Sequence, residues 1–579
     1  MFQELINNLR SDTFASLQGF RPELALCVTI VVMLLARIPR WRVNAFYIAL
    51  AGSLVALFLS APWNYLGEAG SQGGAGPFGK EIFTGMLIFD GLTVYFRAVL
   101  MLFAVCFIVM TKLSGIPDSE DGADFYTLVL GGLLGMCIMA SANHLLTVFL
   151  GVEMASVPSY ALAGMLKGRR KSSEAALKYA VYGAGAAGVM LYGISLLAGA
   201  IGSVHLPTMI QQLGDMPTAI FAERQGLMML GGLMMAVGLA FKLSAVPFHF
   251  WAPDVFEGAS AEVGAFLSVA SKAAGLALLM RIAIGFGSVE APGAAHSPTA
   301  ATAAVSTGEA PPASAILASH RPSEKTDQPK IVTVAHEEPA ADVAPIDIPT
   351  RVRDYIVGLI ALLAAVTCTF GNLAAYAQTN IKRLLAYSTI AHAGYMMMPV
   401  AAIVALMGSH AAPPQTAVAA LAFYVGAYLF MNLGAFAIVA FMRNTMRSEE
   451  VADYAGLIRR SPGLVICFSV ILISLIGLPF FSGFFAKLQA FYVLVPAKLY
   501  WLLAVGGLNT ALSLFYYLRV IKAMTMDPEP ADRAPVDFSL ITPQGVFVVL
   551  ITIPVVAMGV FPNEFFKLAQ AAAAATYLL

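Results

Sequence analysis

Charge is scarce in this sequence. Of 579 residues only 12% are Asp, Glu, Lys or Arg, while 59% are hydrophobic. Soluble domains carry about 25% charged residues, so a chain this apolar has no water-facing surface to spare and takes a bilayer as its solvent. Net charge is missing as well, because Lys+Arg and Asp+Glu number 34 each. That balance excludes the basic footprint of a nucleic-acid binder and points to no acidic partner. Cysteine is sparse: Cys27, Cys106, Cys137, Cys368 and Cys467 all lie in apolar segments, without a C-x-x-C or a Cys/His cluster. Neither a disulfide framework nor a metal site is indicated. The opening MFQELINNLRSDTF is polar and shows no short apolar core before a cleavage site, so no cleaved signal peptide is expected.

What the sequence does have is long apolar runs. Fourteen are near the roughly 20 residues that span a bilayer: 23–38, 43–62, 86–111, 124–141, 144–166, 174–202, 226–249, 262–284, 353–374, 384–407, 415–442, 463–493, 499–522 and 542–561. The expected fold is therefore an all-α polytopic membrane protein. The odd-numbered connections hold Arg37, Arg40, Arg42, Lys112, Lys167, Arg169, Arg170, Lys171, Lys382, Arg383, Arg443, Arg447, Arg459, Arg460, Arg519, Lys522 and Arg533. The short even-numbered ones hold little beyond Lys80, Arg224 and Lys498. Basic loops stay in the cytoplasm, which puts both termini on the opposite side. Residues 287–351 are rich in Ala, Pro, Ser and Thr, a composition that cannot bury a core and reads as a disordered non-cytoplasmic insert. The chain divides into runs one to three (1–123), runs four to eight (124–286), the insert (287–351), runs nine to thirteen (352–525), and the last run with its tail (526–579).

Several ionisable residues fall inside these runs: Arg97 in the third, Glu153 in the fifth, Lys242 in the seventh, Lys272 in the eighth and Lys487 in the twelfth. Each would cost roughly 3 kcal/mol or more if it faced lipid at mid-bilayer. A long stem can instead reach the headgroups, an alternative that stays open for Arg97 and Lys242. Lys272 is about ten residues from either end of its run and fits it badly. Three lysines and a glutamate together point to a polar pathway. Proton handling suits them, since burial and a nearby carboxylate push a lysine's proton affinity in opposite directions. No set of Asp, Asn and carbonyl ligands suggests a sodium cage.

Breaks accompany two of the lysines. Pro247 interrupts the seventh run, and Gly477, Pro479 and Gly483 interrupt the twelfth. Non-helical backbone at membrane depth is tolerated only where protein or a water-filled cavity satisfies it. Runs four to eight and nine to thirteen make two sets of five. Five is odd, so the second set is inverted, and the fourth member of each carries a lysine and a break, the usual mark of a transport site. His249, His392, Tyr395, Tyr424 and Asn432 could carry protons between the lysines, though a residue of this kind is more often a hydrogen-bonded packing residue than a relay.

The stretches AFKLSAVPFHFWAPDVFEGASAEVGAFLSVASKAAG (240–275), NIKRLLAYSTIAHAGYMM (380–397), YLFMNLGAFAIVAF (428–441) and GLPFFSGFFAKLQAFYVL (477–494) resemble the antiporter-like membrane subunits of respiratory complex I. The resemblance runs across essentially all fourteen runs, the insert excepted. It implies a fourteen-helix fold with inverted five-helix repeats, in a bacterial cytoplasmic membrane and among other membrane-arm subunits. It also implies that Glu153 pairs with Lys242, that Lys272 is the central lysine, and that Lys487 lies on the exit side of a hydrated axis. Proton movement along that axis would be coupled to quinone reduction elsewhere. NADH, FMN, iron–sulfur clusters and quinone would belong to partner subunits, in keeping with the absence of a G-x-G-x-x-G phosphate loop in a suitable context. Two features depart from the family pattern. Glu262 and Gly264 stand where a proline-containing stretch is expected, and the insert is longer than the expected connection. A multi-subunit cation/proton antiporter and a structural spacer with vestigial lysines are the rival readings.

Overall fold

The computed structural model describes residues 2–36, 44–60, 79–117, 121–166, 168–289, 347–409, 411–531, 533 and 536–579. These hold α1 (Phe2–Gly19), α2 (Arg21–Ala36), α3 (Ala45–Leu59), β1 (Lys80–Ile82), β2 (Leu87–Phe89), α4 (Gly91–Ser114), α5 (Gly122–Ser141), α6 (Leu145–Ala163) and α7 (Arg170–Ile201). They continue with α8 (Leu206–Gly214), α9 (Thr218–Leu243), α10 (Trp251–Gly258), α11 (Ala261–Ser268), α12 (Ala270–Gly287), α13 (Ile348–Ala375) and α14 (Ile381–Ser409). The remainder are α15 (Gln415–Met446), α16 (Pro462–Ile476), α17 (Ser482–Tyr492), α18 (Tyr500–Thr525), α19 (Pro543–Val560) and α20 (Pro562–Ala574).

Every apolar run meets helix, because in lipid the backbone can satisfy its polar groups only within the segment itself. Eleven spans among the described residues are long and apolar enough to cross a membrane alone, with α11 and α12 counted as one. The other three runs are shorter or bent. α2 turns by 91° from the end of α1, α3 has 15 residues, and the twelfth run is split into α16 and α17. The insert lies outside the described residues from 290 to 346, and its final residues belong to a helix. α13 begins at Ile348, capped by Asp347, whose Oδ1 accepts from the Thr350 backbone N–H at 3.4 Å. β1 and β2 form an antiparallel hairpin with Lys80 opposite Phe89, a small exception to the all-α expectation.

The spans α11–α12, α14 and α15 are almost wholly buried and form the centre of the bundle. Hydrogen bonds fix the relative direction of the two five-span sets. Arg383 at the start of α14 pairs with Asp254 of α10 at 2.9 Å, and the Ile381 N–H donates to Glu449, just past α15, at 2.8 Å. The far end of α10, the start of α14, the end of α15 and the start of α16 therefore share one end of the bundle, the basic end. The α9–α10 span runs toward this end and the α16–α17 span runs away from it. The two sets are inverted, as their odd number requires.

Arg97 does not reach for headgroups. It is buried, with its Nε 2.6 Å from Glu23 and one Nη donating to the Gly19 carbonyl at 3.0 Å. A second buried pair joins Arg281 of α12 to Asp90, the N-cap of α4, through two parallel hydrogen bonds of 3.0 and 2.9 Å. Asp90 also accepts from the backbone of Thr93 at 2.8 Å and of Tyr577 at 3.0 Å. The C-terminal segment is thereby pinned to the bundle.

Candidate functional site: buried lysines at two helix breaks

α9 ends before Pro247. Its C-cap is Ser244, in the left-handed region (φ 54°), and the chain stays non-helical until Trp251. Pro247 thus prevents the helix from resuming rather than cutting it midway, and the freed Val246 N–H donates to Thr367 of α13 at 3.0 Å. α16 ends in the same manner at Gly477 (φ 89°), followed by Pro479 and by Phe480 at φ 75°. α17 restarts at Ser482, with the Gly483 N–H donating to the Ser474 hydroxyl at 3.0 Å. A Cβ at Gly483 would collide with the Ser474 carbonyl oxygen, so only glycine allows α17 to approach α16 this closely.

All three lysines are buried. Lys272 donates to the Ser244 hydroxyl, the cap of the first break, at 2.5 Å, and its Nζ lies 5.7 Å from the Trp251 ring centre. Lys487 donates to the Ile476 carbonyl, at the second break, at 2.8 Å, and lies 4.5 Å above the Tyr395 ring. The C-terminal carbonyls of a helix carry partial negative charge, so the second break offers Lys487 a carbonyl that an unbroken helix would have used, while at the first break the acceptor is the side chain of the cap residue. Lys242 precedes its break in sequence and Lys487 follows its own. Because the spans are antiparallel, both lie on the side of the break away from the basic end.

Glu153 and Lys242 do not form an ion pair within 4.0 Å. Lys242 donates instead to the Ser156 hydroxyl at 3.2 Å, three residues beyond Glu153 on α6. Glu153 itself is only partly buried. Among the described residues, none of the three lysines has a carboxylate partner within ion-pair distance.

Around Lys487 the second set supplies a dense polar network. His392 Nδ1 is 3.0 Å from the Tyr424 hydroxyl, and its Nε2 is 3.5 Å from that of Tyr517, which also bonds Ser388. Tyr428 donates to Thr389 at 3.2 Å. Asn372 donates to the Tyr395 hydroxyl at 3.1 Å and accepts from Tyr516 at 3.0 Å, while Asn509 donates to Thr369 at 2.9 Å. His392, Tyr395 and Tyr424 therefore gather with Lys487. His249 does not: it packs edge-on against Phe370 of α13, ring centres 4.4 Å apart, with a buried Nδ1 lacking a hydrogen-bond partner. Asn432 is fully buried and neither of its amide atoms has a protein partner, the circumstance in which ordered water is normally found.

At the basic end, α10 is held by charge. Asp254 meets Lys178 at 2.8 Å and Arg383 at 2.9 Å, and Glu257 meets Lys171 and Arg383 at 2.9 Å each. Burial alone would raise both carboxyls, but hydrogen bonds from these cations outweigh it and hold them below the ordinary carboxylate range. Asp90, Arg281, Glu23 and Ser156 escaped the sequence reading. Asp90 and Arg281 lay inside called runs with opposite charges, the one signal that could have paired them. No cluster of three or more metal-ligating side chains occurs among the described residues.

The family described as NADH:quinone oxidoreductase/Mrp antiporter, TM, matches residues 142–307 and 347–513. The chain is 35% identical to NADH-quinone oxidoreductase subunit N of Anaeromyxobacter sp. over 91% of its length and 90% of the relative's. It is 34% identical to NADH-quinone oxidoreductase subunit N 2 of Sorangium cellulosum, over 95% and 96%. Among solved structures, a chain of respiratory complex I from Thermus thermophilus with bound aureothin is 28% identical with a TM-score of 0.66, covering 95% of this chain and 99% of that one. A chain of the Mrp complex from Dietzia sp. shares the fold at 16% identity, TM-score 0.66, covering 96% and 97%. A multi-pass bundle with lysines at two inverted breaks and relatives matched along nearly its whole length belongs to the NADH:quinone oxidoreductase/Mrp antiporter family, as a subunit N-type chain.

Proposed function

We propose that this chain is a proton-translocating membrane-arm subunit of a type I NADH-quinone oxidoreductase in a bacterial cytoplasmic membrane, with its basic end in the cytoplasm. The observation that carries this reading is the set of three buried ammonium groups, each held by a hydroxyl or a carbonyl and, among the described residues, none by a carboxylate. An ammonium held by neutral acceptors can give up its proton and leave a neutral amine with the same neighbours. A salt-bridged lysine would strand a buried carboxylate on doing so.

In this scheme Glu153 acts at a distance. Movement of its carboxylate toward Lys242 favours the charged lysine, and movement away favours release. Lys272, at the cap of the first break, receives the consequence, and Lys487 hands protons to the His392–Tyr424–Tyr517 network. The chain would belong to the oxidoreductase through its complex, while NADH, FMN, iron–sulfur clusters and quinone would be bound by partner subunits. Identity above 30% to subunit N chains along most of the length favours this reading over the antiporter, which is matched at the level of fold.

Lys487→Met in the assembled complex tests it. Proton uptake by inverted membrane vesicles, measured alongside NADH oxidation, should fall sharply while the complex still assembles. A wild-type proton yield in this variant would remove Lys487 from the mechanism and favour a structural spacer.

A further inference from the structure

Glu262, one of the two departures in the sequence, is in the first turn of α11 and fully buried, with neither carboxylate oxygen hydrogen-bonded. The local helix cap is complete without it, since Ser260 accepts from the Val263 N–H at 3.3 Å. The nearest cation on α15 is Arg443, whose Nη2 is 3.9 Å away, and that nitrogen donates to Asn444 at 3.2 Å. Lys382 on α14 has three donors. They go to the Glu257 carbonyl at 2.8 Å, the Ala259 carbonyl at 2.8 Å and the Glu449 carboxylate at 2.9 Å, which leaves none for Glu262. On α10, Asp254 and Glu257 are already taken by Lys171, Lys178 and Arg383.

A structural ion pair in this protein looks different. Asp90–Arg281 closes to 2.9 Å with both carboxylate oxygens hydrogen-bonded. Glu23, though likewise without a hydrogen bond of good geometry, has Arg97 Nε at 2.6 Å, against the 3.9 Å between Arg443 and Glu262. A buried carboxylate left without a hydrogen bond is expensive, so its retention here calls for another use.

The surroundings supply one. Toward the basic end, Arg443 near the end of α15 is 3.9 Å from Glu262 and only 11% exposed. Inward, α11 packs on α15, where Phe436 lies against Gly264 closely enough that a Cβ would meet its ring at 2.8 Å. One turn further along α15 is Asn432, the amide with no partner. Also inward, α11 leads through Val269 into α12 and Lys272, ten residues or roughly 15 Å from Glu262 along a helix.

We propose that Glu262 is a proton-binding site at the basic end of the bundle, which takes up a proton beside Arg443 and passes it through water at Asn432 toward Lys272. The proton adds to a carboxylate oxygen and later leaves it, and no heavy-atom bond changes. The proposal rests on the translocation reading above and assigns its cytoplasmic uptake point in this chain.

The test uses the whole complex in inverted vesicles, with Glu262→Gln and Glu262→Pro beside Lys487→Met. Proline is tolerated in a first helical turn, so the second variant removes the carboxyl if glutamine prevents assembly. The proposal expects proton yield per NADH to fall in both Glu262 variants, to return in part with Glu262→Asp, and a carboxyl stretch to vanish from the NADH-induced infrared difference spectrum. Wild-type yield and an unchanged carboxyl band in the Glu262 variants, with Lys487→Met inactive, would overturn the role of Glu262 and leave the translocation reading standing. Wild-type yield in Lys487→Met as well would overturn both.

Discussion

Gly483→Ala places a methyl group where the Ser474 carbonyl oxygen already stands, with the Ser474 carbonyl carbon 2.7 Å and Met431 Sδ 3.1 Å from the new atom. Backbone cannot swing aside as a flexible side chain would, so the start of α17 has to move away from α16. Overpacking of this kind costs about 1–3 kcal/mol. The shift also stretches the 2.8 Å bond from Lys487 to the Ile476 carbonyl, and a hydrogen bond from a charged group contributes about 1.5–3 kcal/mol. Replacing glycine in a helix returns up to about 1 kcal/mol, which leaves a net local destabilisation of about 1.5–5 kcal/mol. Hydrogen exchange of the assembled complex should show faster exchange over residues 474–487, and proton yield per NADH should fall. Gly188→Ala on α7 is the control, because nothing lies within 4 Å of its Cβ position. It should leave both readouts at wild type. Unchanged exchange and unchanged yield in Gly483→Ala would refute the claim that close packing at the second break positions Lys487.

Two further outcomes follow from the charged pairs. Asp90→Asn leaves Arg281 buried without its carboxylate and should cost about 3–5 kcal/mol, seen as loss of assembled complex on native gels, whereas Lys171→Ala at the exposed α7–α10 contact should cost under about 1 kcal/mol. Acid should release α10 late. Asp254 and Glu257 have folded-state proton affinities below the ordinary carboxylate range, so their stabilisation is complete above about pH 4. It is lost as pH falls through the lower folded values. Exchange over residues 251–258 should stay slow at pH 5 and quicken only below about pH 4.

The sequence made the lysines and the breaks visible because both are costly in a bilayer and therefore stand out against apolar surroundings. Lys242, Lys272, Lys487, Pro247 and Gly477 were found in this way, and all three lysines are buried. The partners were not visible. The lysines bind hydroxyls and a carbonyl, at Ser156, Ser244 and Ile476, and such groups occur in every helix, so only packing reveals which ones face a cation. The expected Glu153–Lys242 pair is not closed to 4.0 Å, although the two charges still interact, because the rotation of α6 within the bundle sets Ser156 rather than Glu153 against the ammonium. Arg97 was ambiguous because its partner, Glu23, lies 74 positions away in an earlier run. Proline also gave only an approximate boundary, since the cap conformation at Ser244 ends α9 before Pro247 is reached.

The central claim, that protons move through the buried lysines, is tested most directly at Lys272, which joins the centre of the bundle to the first break through Ser244. The measurement is the number of protons taken up per NADH oxidised by inverted vesicles carrying Lys272→Met, with assembly verified in the same membranes. The account predicts a clear fall in that ratio in fully assembled complex. A wild-type ratio would contradict it.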